Sequence, residues 1–106
     1  MDPNTRERID SDVKSNRVFL YMKGTPAFPQ CGFSHRTVQL LRHYGVEFAS
    51  ANVLEDMAIR EGIKEYSGWP TVPQLYVGGE FVGGCDIVMS LYESGELEKM
   101  VQGAAK

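Results

Sequence analysis

Cysteine is scarce in this chain: Cys31 and Cys85 are the only two among 106 residues. Two sulfurs cannot build the disulfide framework on which small secreted domains rely, and their scarcity points to a reducing compartment. Positive charge is also short, with eleven Lys and Arg against fourteen Asp and Glu and a net charge of −3. That balance argues against a surface that grips nucleic-acid phosphates, which takes a basic excess. No stretch approaches the ~18 consecutive apolar residues of a membrane span, so neither nucleic acid nor membrane is an expected partner. The charged start, Met1-Asp2-Pro3-Asn4-Thr5-Arg6-Glu7-Arg8, matches neither a secretory signal nor an acid-poor transit peptide. A cytoplasmic location is therefore expected, or an organelle matrix if a presequence has been removed. What remains, 42% apolar and 24% charged residues without low-complexity tracts, fits one domain over 1–106 with a core of its own.

Hydrophobic periodicity divides this domain into elements. Pro3 suits a first helical turn, and Ile9 with Val13 gives a short amphipathic helix ending before Asn16. Arg17–Met22 is an apolar, β-branched and aromatic run of strand length, closed by Lys23-Gly24-Thr25-Pro26. Pro26 and Pro29 forbid regular structure up to Gln30, and the helical stripe Thr37, Leu40, Leu41, Tyr44 follows, closed by Gly45 as a left-handed cap. Val46 to Val53 predicts a second strand, after which Glu55 and Asp56 open a helix carrying Ile59, Ile63 and Tyr66. Trp69-Pro70-Thr71-Val72-Pro73 breaks that helix. Leu75–Val77 and Glu80–Val82 around Gly78-Gly79 read as a hairpin, and helical stretches from Ile87 to Glu93 and through Leu97, Met100 and Val101 complete the chain. The order α-β-α-β-α-β-β-α-α predicts an α/β fold: a parallel first pair of strands, extended by the hairpin into a four-stranded mixed sheet flanked by helices. Phe19, Tyr21, Phe48, Ile59, Ile63 and Tyr76 fit these periods as core residues. His43, late in its helix, suits the negative end of the dipole and is assigned no chemistry.

In such sheets sites form beyond the carboxyl ends of strands, which is where Lys23 to Cys31 falls. Cys31 stands where a loop becomes a helix, and the unpaired N–H groups of a first helical turn favour a thiolate. Lys23 across the loop adds positive charge, with His35 and Arg36 as less direct contributors. The sequence after it, Cys31-Gly32-Phe33-Ser34, puts serine where a C-x-x-C pair has its resolving thiol. That thiol must come either from Cys85, if the two Cα atoms approach to about 4.4–6.8 Å, or from an external low-molecular-weight thiol.

The segment Lys23-Gly24-Thr25-Pro26-Ala27-Phe28-Pro29-Gln30-Cys31-Gly32-Phe33-Ser34 resembles the signature of the monothiol, CGFS-type glutaredoxins. Trp69-Pro70-Thr71-Val72-Pro73-Gln74 and Gly83-Gly84-Cys85-Asp86 resemble that family's second and third glutathione-site motifs, in the same order, and the likeness runs from about Val18 to Val101. The resemblance implies a thioredoxin-like fold in which Pro73, in the cis form, faces Cys31 and Val72 offers main-chain hydrogen bonds to the cysteinyl part of glutathione, as an added strand would.

By the same resemblance, Lys23, Arg60 and Lys64 hold the glycyl carboxylate, while Thr71 belongs to the glutathione-site turn. Arg60 and Lys64 share one helix face whether or not they bind anything. The start of the helix at Cys85 and Asp86 cradles the γ-glutamyl carboxylate, and Asp86 either takes its ammonium or acts as an N-cap, or both. Cys85 is read chiefly as a wall of this pocket, with a regulatory disulfide to Cys31 as the alternative. A [2Fe–2S] cluster takes four ligands, and Cys31 plus one glutathione supplies two. The resemblance thus implies a homodimer bridged by a cluster on two Cys31 and two glutathione sulfurs, monomeric without it. It would deliver to iron–sulfur recipient proteins and take BolA-like partners. The alternative is a glutathione-dependent thiol-disulfide oxidoreductase using the same Cys31, for which the resemblance implies weak turnover.

Overall fold

The computed structural model describes residues 1–104. Helix α1, Pro3–Ser15, begins with proline in its first turn and with the Asp2 carboxylate accepting from the Asn4 N–H. Strand β1, Val18–Met22, is buried along its whole length, as its unbroken apolar run requires. Helix α2 (Gly32–His43), strand β2 (Ala49–Asn52), a 3-10 turn (Val53–Glu55) and helix α3 (Met57–Ser67) follow. Strands β3 (Gln74–Val77) and β4 (Glu80–Gly83) form the hairpin, and helices α4 (Cys85–Ser94) and α5 (Glu96–Ala104) close the fold.

The sheet runs β2-β1-β3-β4. β1 and β2 are parallel, with Phe19 opposite Ala49, while β1 with β3 and β3 with β4 are antiparallel. Gly78 and Gly79 turn the hairpin with φ of 62° and 82°, values a side chain adopts only under strain. Alternation along β1 sorts its residues between two cores. Val18, Leu20 and Met22 pack with Val38 and Leu41 of α2, Val88 of α4, and Leu97 and Val101 of α5. Phe19 and Tyr21 face the other side, with Ile9 and Val13 of α1, Ile59 and Ile63 of α3, and Tyr76. Two helices thus cover one face and three the other. Among the described residues no helix is long and apolar enough to cross a membrane.

Several expected boundaries shift for local reasons. Arg17 stands outside β1, its C=O accepting from the Gly78 N–H at 2.7 Å. β2 begins at Ala49 rather than Val46 and stops at Asn52, whose Oδ1 accepts from the Leu54 N–H at 3.0 Å and starts the 3-10 turn. Val53 therefore enters the core from a turn and not from a strand. Asp56 alone caps α3, with Oδ1 accepting from the Ile59 N–H, so Glu55 lies outside that helix. Phe48 is only half-buried at the margin of the first core. α4 begins two residues before Ile87, which makes Gly84 its cap and moves Asp86 inside the first turn, where its charge meets the helix dipole rather than capping it.

Candidate functional site

Strand β1 delivers the chain at its carboxyl end into a loop that turns back on itself. The Lys23 N–H donates to the Ser34 hydroxyl at 3.1 Å, and the Gly24 N–H donates to Asn52 Oδ1 at 2.9 Å. The Gln30 N–H then donates to the Lys23 C=O at 2.9 Å, while Thr25 and Phe28 exchange main-chain hydrogen bonds at 3.2 and 3.0 Å. Gly24 has φ of 90°, and a Cβ there would stand 2.5 Å from the Phe28 carbonyl oxygen and 2.6 Å from the Gln30 nitrogen. The loop ends at Cys31, the N-cap of α2, in extended conformation and with no side-chain hydrogen bond of the kind a capping serine makes.

That position decides the state of the thiol. Burial raises its pKa, but the N–H groups of Ser34 and Phe33, then the Lys23 charge and the Ser34 hydroxyl, lower it, and the net result lies below the ordinary cysteine value. His35 and Arg36 are exposed on α2 and are not among the main groups acting on this thiol; the Arg36 charge bears on Cys85. Ser34, fully buried, does what sequence reading overlooked: its oxygen accepts from Lys23 while its hydroxyl serves the sulfur. Its place in the first turn after Cys31 was the available signal. Alkylation of Cys31 should therefore accelerate with rising pH through a midpoint below that of an ordinary thiol, as the thiol gives up its proton. Lys23→Gln should shift that midpoint upward. Iodoacetamide rates read by mass on the Cys31 peptide check both; an unshifted midpoint in the variant would remove Lys23 from the account.

The other residues singled out from sequence come together with Cys31 around one open cavity of about 430 Å³, a size typical of small-molecule sites. Lys23, Arg60 and Lys64 contribute its cationic wall. Lys64 Nζ is also 2.9 Å from Glu61 Oε2, an exposed pair along α3. Thr71, Val72 and Pro73 form the floor, and the Val72–Pro73 peptide is cis. Among the described residues, neither the N–H nor the C=O of Val72 takes part in the hydrogen bonds of turns and loops.

Gly84, Cys85 and Asp86 form the opposite wall at the start of α4, where first-turn N–H groups have no helical partner. Cys85 is buried, and burial lifts its pKa against the opposing Thr37 hydroxyl and Arg36 charge. The two cysteines, both free thiols, thus diverge: one is activated and the other suppressed. Phe33, Trp69 and Pro70 also line the cavity; they lie in the segments that carry the family resemblance, although sequence reading assigns none of them a role of its own. The Trp69 indole Nε1 is buried without a partner, and a Cβ on Gly84 would approach it to 2.8 Å, so glycine is what lets the two walls meet.

Chemically, the cavity combines the cations Lys23, Arg60 and Lys64, the Asp86 carboxylate, first-turn N–H groups of α4 and the reactive Cys31 sulfur. Among the described residues no group of three or more His, Cys, Asp or Glu side chains could hold a metal ion.

The glutaredoxin family profile matches residues 18–82. A ycf64-like monothiol glutaredoxin of Synechocystis is 55% identical over 104 residues, covering 98% of this chain and 97% of its own. The mitochondrial monothiol glutaredoxin-5 of Lachancea kluyveri is 54% identical over 107 residues, covering 98% of this chain and 75% of its own. The solution structure of reduced poplar apo GrxS14 superposes with a TM-score of 0.83 at 52% identity, over 93% of this chain and 91% of that one. The names of these relatives span a bacterium and an organelle.

Proposed function

The chain belongs to the glutaredoxin family, in its monothiol branch, and on that premise we propose that it binds glutathione and carries a [2Fe–2S] cluster between two copies of itself for delivery to other proteins. One observation carries the reading: a single activated thiol opens onto a pocket whose charges complement a thiol-bearing tripeptide, and no second cysteine follows it in the Cys31–Ser34 turn.

Glutathione fits the cavity in one direction. Its cysteinyl main chain pairs with the free N–H and C=O of Val72 next to Thr71, as an added strand does. Its glycyl carboxylate meets Lys23, Arg60 and Lys64. At the other end the N–H groups of Cys85 and Asp86 receive the γ-glutamyl carboxylate, and the Asp86 carboxylate receives its ammonium. In this pose the glutathione sulfur lies beside Cys31 Sγ, giving two thiolate ligands per chain. A [2Fe–2S] cargo takes four, so two chains and two glutathiones complete the set. Half the ligands are then exchangeable small molecules, which suits release to recipient proteins. BolA-like partners would approach the same face, where Phe33, which lines the cavity with Cys31, stands exposed.

The lowered thiol pKa also supports a second reading, glutathione-dependent reduction of mixed disulfides. Cys31 thiolate attacks the glutathionyl sulfur of a substrate and expels the substrate thiolate. A second glutathione thiolate then attacks the Cys31 mixed disulfide, leaving as glutathione disulfide and restoring Cys31. The reducing setting both readings need is met in a cytoplasm or an organelle matrix alike.

Anaerobic reconstitution with ferrous iron, sulfide and glutathione tests the carrier reading. Visible absorption and a doubled mass in size exclusion are expected with glutathione, and neither with its serine analogue γ-Glu-Ser-Gly. Colour and dimer that form equally well without glutathione would overturn it.

A further inference from the structure

The turn that forms the cavity floor is held from beneath by one buried carboxamide. Gln74, the first residue of β3, is completely buried, and its Nε2 donates to the Trp69 C=O at 3.1 Å and to the Thr71 C=O at 3.2 Å. A primary amide is the neutral side chain whose single nitrogen carries two hydrogens, so one residue satisfies both carbonyls. Tyr76 lies two residues on, hence on the same face of the strand, and its hydroxyl donates to Gln74 Oε1 at 3.1 Å. That bond fixes which end of the amide faces the turn. The Trp69 N–H is tied as well, donating to Ser67 Oγ at 3.0 Å. No bond of this set reaches Cys31. Burial pushes the Tyr76 phenol up to about 12, so it remains a donor throughout the neutral range.

We infer that Gln74, oriented by Tyr76, is a positioning residue for glutathione: it holds the Trp69–Pro73 turn so that Val72 presents its N–H and C=O to the ligand. The inference rests on reading this turn as the glutathione site. Its chemistry separates from that of the thiol, because the groups that lower Cys31 sit on α2 and in the Lys23 loop.

The test uses Gln74→Met, which removes both donors at similar length, and Tyr76→Phe, which removes only the hydroxyl. Three quantities are read on the reduced chain: the glutathione Kd by calorimetry, acrylamide quenching of Trp69, the sole tryptophan, and the Cys31 thiolate titration at 240 nm. Gln74→Met should weaken glutathione about tenfold and Tyr76→Phe about threefold, the scale of lost buried hydrogen bonds. Both should raise Trp69 quenching and leave the thiol midpoint in place. The double variant should bind no more weakly than Gln74→Met, since Tyr76 acts through Gln74.

A lowered melting temperature with wild-type affinity in the folded protein would show a purely structural role and overturn the inference. If Gln74→Met fails to fold, Tyr76→Phe decides, and wild-type affinity there overturns it equally. A wild-type chain that binds no glutathione would instead overturn the reading of the site itself, while the quenching data still show whether the amide holds the turn.

Discussion

Cys31→Ser should lose cluster loading completely and yet leave the fold as stable as before or slightly more so. After anaerobic reconstitution the variant should be colourless and elute as a monomer, because a serine oxygen does not replace the thiolate that a cluster of this kind takes. Turnover of a glutathionylated peptide should vanish as well, since no sulfur remains to accept glutathione. Stability behaves differently because Cys31 occupies the N-cap of α2 without making a capping bond. Serine is a preferred residue there, and its hydroxyl can accept from a first-turn N–H that now faces the sulfur, for a gain of up to about 1 kcal/mol. The urea midpoint reads the second effect and visible absorption the first. A variant that kept the colour would show that Cys31 is not a ligand; one that unfolded would show that the thiol holds the loop in place.

Gly24→Ala should have the largest effect on the fold of any small change near the site. Its φ of 90° is costly for alanine, and the added methyl meets main-chain atoms of Phe28 and Gln30 that cannot rotate away. A loss of about 2–3 kcal/mol is expected from the two effects together. The same strain pulls at the Lys23 N–H bond to Ser34 and the Gly24 N–H bond to Asn52. Cys31 should therefore titrate closer to an ordinary thiol. Gly45→Ala is the control: φ there is 67°, with no atom within 4 Å of the new methyl, so the cost is about 1 kcal/mol with no change at the thiol. Thermal unfolding and Cys31 alkylation on both variants separate the two outcomes. Equal losses in both would remove the packing of the loop from the explanation.

These sites also show which features were readable from sequence. β1 was legible because an apolar run buried on both faces leaves few alternatives, and the hairpin because Gly78-Gly79 supplies the positive φ its turn needs. The position of Cys31 followed from the two prolines before it. β2 was blurred because Ala49-Ser50-Ala51-Asn52 has little strand preference of its own; its state is imposed by parallel pairing with β1. Ser34 and Gln74 escaped for a shared reason. Each is a buried polar residue whose partners are main-chain atoms, and only the folded loop or turn brings those atoms within reach. Periodicity marks where a side chain is hidden, not which carbonyl or N–H it must satisfy.

The sheet carries separate cores on its two faces, and the site draws on both. Cys31 and Cys85 begin helices α2 and α4, which rest on one core, whereas Arg60 and Lys64 ride on α3, which rests on the other. The sulfur and two of the cavity's three cations are thus mounted on different cores, and Lys23, which also acts on the thiol, joins them at the carboxyl edge of the strands. If the cavity takes glutathione as proposed, a substitution beneath α3 retunes how tightly the tripeptide's tail is held by Arg60 and Lys64, and one beneath α2 acts on the thiol. On the proposed reading, affinity and reactivity are adjusted through α3 and α2 respectively, and Lys23 couples the two.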